Sequence, residues 1–79
     1  MINLNGIEAH IAPFLLNNNF KKVDEFCYAN DFCGIEIQKE GYAVCDNDGN
    51  TMYSNDHSIY WLVGYLTWSG YLIKDYIKN

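Results

Sequence analysis

The stretch "IEIQKEGYAVCDNDGNTMY", residues 35–53, decides the fold. Apolar side chains alternate along it with polar or small ones, which is the period of β-strands with one buried face. The alternation stops at "KEG" (39–41) and at "NDGN" (47–50), and turns this short join neighbouring antiparallel strands. The same alternation of apolar and polar residues extends back to residue 20. We therefore predict an antiparallel meander of three or four strands, whose buried face carries Val23, Phe26, Tyr28, Ile35, Ile37, Tyr42, Val44 and Met52.

A first helix is predicted before the meander. Asn5 and Glu8 have the spacing of a capping box, and apolar residues at helical spacing follow, so the helix covers about residues 6–16. Pro13 removes one backbone hydrogen bond inside this element, which predicts a kink or a helix that restarts at Pro13. The three asparagines at 17–19 end the helix.

A second helix is predicted after the meander. "SND" (54–56) offers capping side chains, the helical pattern runs from about Ser58 to Trp68, and Gly70 follows its end. Residues 71–79 are expected to form a short helical turn against the sheet. A sheet with both helices packed on one face buries the apolar side of each helix. The predicted fold is therefore α+β. It forms a single domain over residues 1–79.

The charge of the chain bears on the kind of partner it can bind. Ten acidic residues oppose five lysines, there is no arginine, and the formal net charge is -5. Affinity for phosphate backbones comes mainly from clustered Lys and Arg. We therefore do not expect the protein to bind nucleic acid directly. The same charge suits a larger protein with a basic surface, or it serves only to keep an aromatic-rich protein in solution.

The termini and the cysteines indicate a compartment. The N-terminus "MINLNGIEAH" lacks the basic and apolar segments of a secretory signal, and the apolar stretches are too short to span a bilayer. Three cysteines without a signal peptide indicate reduced thiols. We therefore expect a cytoplasmic protein with no membrane partner.

"DNDGN" at 46–50 has the composition of a calcium loop. Starting an EF-hand register at Asp46 puts Thr51 where glycine is required and His57 where the bidentate glutamate is required. The register that places Gly49 correctly fails at its first and last positions. Asp-Gly between alternating apolar runs is instead a strong hairpin signal, so the loop is expected to turn the chain rather than bind metal.

Cysteine and histidine side chains offer a second possible metal set. Cys27, Cys33 and Cys45 could join His57 or His10 around zinc, but the spacing lacks a C-x2-C pair. Buried free thiols on strands are the commoner outcome. A small ligand- or metal-binding protein that uses this set or the acidic hairpin loop stays open as the alternative function.

No catalytic motif is present in the sequence. Nothing near its Cys and His residues matches a nucleophile elbow, a phosphate-binding glycine loop or an H-E-x-x-H helix. Glu36 and Glu40 are interpreted as solvent-facing residues of a hairpin rather than as an acid/base pair. The sequence therefore predicts neither an enzyme nor a cofactor.

The second helix is apolar on two faces. One stripe is the expected core face: Ile59, Leu62, Val63 and Leu66. The other contains Trp61, Tyr65 and Trp68, and Trp and Tyr dominate binding hot spots. We predict that this aromatic stripe anchors a partner protein or a second copy of the chain, unless the C-terminal segment or the first helix covers it.

Two further features accompany the aromatic stripe. Gly64 lies on its flank and permits close approach of another backbone, either from a partner or within the monomer. Carboxylates of Asp46, Asp48 and Asp56 are expected to steer a basic partner towards it. The predicted partner-binding residues are therefore Trp61, Tyr65, Trp68, Asp46, Asp48 and Asp56.

A resemblance makes this interaction hypothesis more specific. From about residue 14 to residue 76, with "FLLNNNFKK", "VCDNDGNTMYSND" and "IYWLVGYLTWSGYLIKDY", the chain resembles small acidic proteins carried by phages and mobile elements of low-GC bacteria. Such proteins are similar in type to anti-CRISPR and other anti-defence inhibitors, many of which block nucleic-acid-binding effectors. The resemblance implies an inhibitor that acts in the cytoplasm of the host cell, but no motif from which residues could be carried over.

Overall fold

Five strands and two helices make up residues 3–72, the part of the chain that this computed structural model describes. The strands form one antiparallel sheet in chain order, β1-β2-β3-β4-β5, preceded by one helix and followed by the other. The predicted α+β fold is confirmed, with five strands in place of three or four. The elements are α1 (Leu4–Asn17), β1 (Lys21–Asp24), β2 (Cys27–Ala29), β3 (Cys33–Ile37), β4 (Tyr42–Asp46), β5 (Thr51–Tyr53) and α2 (Ile59–Ser69).

The extra strands arise from two turns that the alternation conceals. Phe26, predicted to be a strand residue, adopts a positive φ of 59° in the turn between β1 and β2. Between β2 and β3, the Asn30 side chain accepts hydrogen bonds from the backbone N–H groups of Phe32 and Cys33 at 2.8 and 3.0 Å. An Asn side chain that replaces a backbone acceptor in this way forms a turn without glycine or proline.

Helix α1 begins two residues earlier than predicted. Asn3, not Asn5, is its N-cap, and the Asn3 side chain accepts a hydrogen bond from the N–H of Gly6 at 3.1 Å. Glu8 turns to the sheet instead. Its carboxylate accepts a hydrogen bond from the Tyr28 hydroxyl at 2.9 Å and pairs with Lys22 at 2.8 Å, and the Lys22 contact lowers the pKa of Glu8.

Pro13 does not divide the helix. Helix α1 runs from Leu4 to Asn17 as one element, so the predicted restart at Pro13 is wrong. Proline removes only the hydrogen bond to the carbonyl of Ala9, and both residues are exposed, so water can satisfy that carbonyl.

The core lies between the two helices and one face of the sheet, called the inner face here. Three of the predicted strand residues are not part of it: Phe26 is only partly buried, and Val23 and Met52, on the edge strands β1 and β5, are 62% and 45% exposed. Leu62 and Leu66 of α2 are fully buried. The buried cluster consists of Ile11, Leu15, Phe20, Tyr28, Cys33, Ile35, Ile37, Tyr42, Val44, Leu62, Leu66 and Leu72.

Both edges of the sheet are short or irregular. Strand β5 has three residues, and the pairing of β1 with β2 shifts register between Lys22 and Asp24. Within residues 3–72, no helix combines the length and apolarity needed to cross a bilayer. The expectation of a helical turn over 71–79 concerns mostly residues 73–79, which lie outside the described part of the chain.

Candidate functional site

The predicted aromatic stripe forms a continuous row of neighbouring rings on α2, of which Trp61 and Tyr65 are stacked and Trp68 is tilted by 36° from Tyr65. The ring centroids of Trp61 and Tyr65 are 5.3 Å apart with an angle of 10° between the planes, and those of Tyr65 and Trp68 are 6.0 Å apart. Tyr71, just beyond the helix, meets Tyr65 edge-on at 6.3 Å. These four residues, Trp61, Tyr65, Trp68 and Tyr71, are called the aromatic row below.

Exposure increases along the aromatic row. Trp61 and Tyr65 are partly buried against the core, whereas Trp68 is 80% exposed. Tyr60, which belongs to neither predicted stripe, is 85% exposed on the same helix. A hypothetical Cβ on Gly64 meets no atom of the described residues within 4 Å, so close packing against residues 3–72 does not explain this glycine. The row therefore offers an open aromatic end at Trp68.

The acidic loop after β4 is a hairpin turn. The Gly49 N–H donates to the Asp46 carbonyl at 3.2 Å, and Gly49 has a φ of 89°, which favours glycine. The Asp46 carboxylate accepts backbone hydrogen bonds from Asp48 and Asn50, both at 2.9 Å. These bonds, the one from the Asn50 N–H foremost, lower the pKa of Asp46. Asp46 thus organises the turn, while Asp48 is exposed beside it.

Tyr71 connects the acidic loop to the aromatic row. Its hydroxyl donates a hydrogen bond to the Asp46 carboxylate at 3.2 Å, and its ring contacts Tyr65. Burial and the Asp46 charge raise the pKa of Tyr71, so this hydroxyl keeps its proton at neutral pH. Asp46 and Tyr71, 25 residues apart in sequence, therefore join the acidic loop and the aromatic row into one surface.

Asp46→Asn is expected to lower the melting temperature at pH 7. The folded state lowers the pKa of Asp46, so its contribution to stability is present above about pH 4 and is lost as the pH falls through the lowered pKa. Thermal melts of both proteins between pH 7 and pH 2.5 should show a difference that shrinks at the acidic end. Asp48→Asn is the matched control and should melt like wild type at every pH. A constant Asp46→Asn deficit at all pH values would contradict this account.

Asp56 lies at the other end of the aromatic row. Its carboxylate is exposed and accepts a hydrogen bond from the Ser58 N–H at 3.0 Å, next to the N-cap of α2. The Tyr42 ring centroid lies 6.4 Å from that of Trp61, and burial together with the Asp56 charge raises the pKa of Tyr42. Carboxylates therefore flank the aromatic row at both ends.

The segment between β5 and α2 fixes where the helix starts. The Ser54 hydroxyl accepts from the Tyr42 N–H and donates to the Asp56 carbonyl, both at 2.7 Å. The Tyr42 hydroxyl donates to the His57 carbonyl at 2.8 Å. Nε2 of His57 lies 2.6 Å from the Gln38 carbonyl, which can only accept, so this nitrogen carries the proton. These bonds hold α2, and with it the aromatic row, against the sheet.

The thiols of the possible zinc set do not converge. Cys33 is buried on the inner face, where burial raises its pKa to about 12. Cys27 and Cys45 belong to the opposite face, and His57 is bonded to Gln38. No group of three or more potential metal ligands occurs among residues 3–72.

The face of the sheet away from the helices, the outer face, was missed by the sequence analysis. Its floor consists of small side chains on three adjacent strands: Cys27, Ala29, Gly34, Ala43 and Cys45. Val23 and Tyr53, each 62% exposed, stand on either side. Together they outline an open depression of about 310 Å³, called the sheet trough below. The sequence feature that could have indicated this trough is the set of Cys, Ala and Gly residues at positions where a water-facing strand normally carries polar residues.

Another concavity, of about 430 Å³, lies beside the end of α1. Its lining includes one basic and one acidic side chain, Lys21 and Asp31. The other lining residues are Leu16, Asn19, Phe20 and Asn30. The Asn30 amide is already bonded to the Tyr71 carbonyl at 2.8 Å. This concavity shows no cluster of groups that would select a ligand.

Comparison of the chain with protein-family models, curated proteins and solved structures finds no match. Function is therefore inferred from the surfaces described above.

Proposed function

We infer that this protein is a small acidic interaction module that binds a larger protein with a basic surface and blocks it. In its most concrete form it is a phage-type inhibitor of a nucleic-acid-binding defence effector, anti-CRISPR in type, acting in the host cytoplasm. The aromatic row is the proposed anchor. The observation that carries the proposal is the exposure of Trp68 at the end of a stacked row with carboxylates at both ends.

The composition of this surface supports a basic protein partner. Tryptophan and tyrosine faces attract the cations of Lys and Arg, and carboxylates nearby add Coulomb attraction. Trp61 and Tyr65 are held by the core, so little side-chain entropy is lost when a partner covers them. Surfaces that bind nucleic acid carry exposed Lys and Arg. These side chains would also attract an acidic protein such as this one.

Trp68→Ala is expected to weaken partner binding by about 30-fold, the effect of losing one hot-spot side chain. Affinity capture from a low-GC bacterial lysate, followed by mass spectrometry, identifies the partner. Titration of that partner then gives the dissociation constants. Inhibition is measured as plasmid transformation of cells whose CRISPR system targets the plasmid, which should rise with wild type and not with Trp68→Ala.

Tyr60→Ala is the matched control, because Tyr60 is equally exposed on α2 but lies outside the aromatic row. It should bind and inhibit like wild type. Equal losses for Tyr60→Ala and Trp68→Ala would show that the row has no special role. A large melting shift with calcium or zinc, together with no captured protein, would favour the ligand- or metal-binding alternative.

A further inference from the structure

We propose that the sheet trough is a second docking surface, which takes an extended, positively charged segment of a partner protein. The trough lies on the outer face, and α2 packs on the inner face, so the sheet separates it from the core-packed side of the helix. The proposal goes beyond the inhibitor function, because it concerns a different surface and a contact that does not require Trp68.

The shape of the trough fits a side chain inserted from outside. Among residues 3–72, a Cβ on Gly34 would meet only the Tyr28 carbonyl oxygen, at an ordinary 3.8 Å, so no side chain of this part of the chain fills the space above the centre of the floor. About 310 Å³ is at the lower limit of small-molecule pockets, and the trough is open to solvent. It therefore suits one or two side chains of an extended segment rather than an enclosed ligand.

The pairing of the strands places one carboxylate beside this apolar floor. Glu36 lies between Cys27 and Ala43 across the three central strands, and it is the only charged residue that lines the trough among residues 3–72. Asp24 pairs with Cys27 at the β1 side. An apolar side chain over Gly34 and a Lys or Arg against Glu36 would satisfy both features.

The same charges disfavour the other occupants. Two copies of the chain related by a two-fold axis through the trough would bring Glu36 against Glu36, which is repulsive. Nucleic acid would meet Glu36 and Asp24 with its own negative charge. Lys21 pairs with Ala29 at the edge of this face, but the carboxylates of Glu36 and Asp24 lie nearer its centre and favour a basic segment of another protein.

The test is an NMR titration of ¹⁵N-labelled full-length protein with two short synthetic peptides. The basic peptide is acetyl-Lys-Val-Trp-Val-Lys-amide, and the acidic one has Glu in place of both lysines. The basic peptide should shift the backbone amide signals of Cys27, Gly34, Glu36 and Cys45, and the acidic one should not. Trp68→Ala should leave this response unchanged, which separates the trough from the aromatic row.

Three variants decide between the trough and a non-specific contact. Gly34→Val fills the centre of the floor and should abolish the response, while its folding is checked by the spectrum itself. Glu36→Gln should weaken binding about two- to fivefold, as expected for one exposed ion pair, whereas Glu40→Gln, an exposed carboxylate outside the trough, should have no effect. Glu36→Lys should reverse the preference from the basic to the acidic peptide.

Several outcomes would overturn the proposal. They are equal responses to both peptides, an unchanged response in folded Gly34→Val, and no response on the outer face. Shifts confined to α2 would move the site to the aromatic row, and shifts that grow with protein concentration alone would mean self-association.

Discussion

Gly41→Ala is expected to lower the melting temperature by roughly 12 to 24 °C, which corresponds to about 3 kcal/mol of unfolding free energy. Gly41 is buried where the β3–β4 turn meets the segment before α2. A Cβ there would overlap the carbonyl and hydroxyl oxygens of Ser54 and lie 2.9 Å from the Asp56 carbonyl. Because Ser54 bonds both Tyr42 and Asp56, moving it would break the contacts that fix the start of α2. Thermal and urea unfolding measure the change.

Two other glycines are matched controls for this prediction. Gly34→Ala places its Cβ at ordinary contact distance on the outer face, and Gly64→Ala places it in open space on α2. Removing glycine from a strand or helix interior should stabilise each protein by about 0.5–1 kcal/mol. If Gly41→Ala melted like these two variants, the close approach of Ser54 to Gly41 would not be a determinant of stability.

Leu66→Ala is expected to cost about 3 kcal/mol, with a comparable fall in melting temperature. The Leu66 side chain is fully buried beneath α2, so its truncation leaves a cavity between the helix and the inner face of the sheet. Chemical denaturation at 25 °C gives the unfolding free energy. Partner binding by the remaining folded protein should change little.

Trp68→Ala, two positions along the same helix, should show the opposite profile. Trp68 is exposed and contacts mainly the Tyr65 ring, so its loss should cost about 1 kcal/mol or less. It should weaken partner binding about 30-fold, whereas Leu66→Ala lowers stability. A large melting loss in Trp68→Ala would make the tryptophan a structural residue rather than an anchor.

The parts of the fold that sequence predicted correctly are those set by strong local chemistry. The breaks at 39–41 and 47–50 fall between β3, β4 and β5, where Asp-Gly and a buried glycine require a turn. The start of α2 near Ser58 and its stop at Gly70 are also confirmed, although the N-cap is Ser58 itself rather than a residue of 54–56. The missed turns use Phe26 at positive φ and an Asn30 side chain, neither of which interrupts a period-two pattern.

The candidate site was predictable only within α2. The i, i+4, i+7 spacing predicted that Trp61, Tyr65 and Trp68 lie together, and they do. Their connection to Asp46 depends on a long-range hydrogen bond from Tyr71, which no local pattern encodes. The sheet trough does not stand out in the sequence because cysteine, alanine and glycine alternate with the apolar residues as polar residues would, although together they make the outer face apolar.

The two irregular sheet edges have a consequence for the behaviour of the protein at high concentration. Amyloid-type growth needs a long, flat edge strand on which a further chain can pair. Strand β5 offers three residues, and the register shift between Lys22 and Asp24 interrupts β1, where the exposed Lys21 also disfavours pairing with a neighbouring copy of the same edge. Both edges of the sheet formed by residues 3–72 therefore disfavour pairing with a further chain, and we expect the protein to resist fibril formation at high concentration.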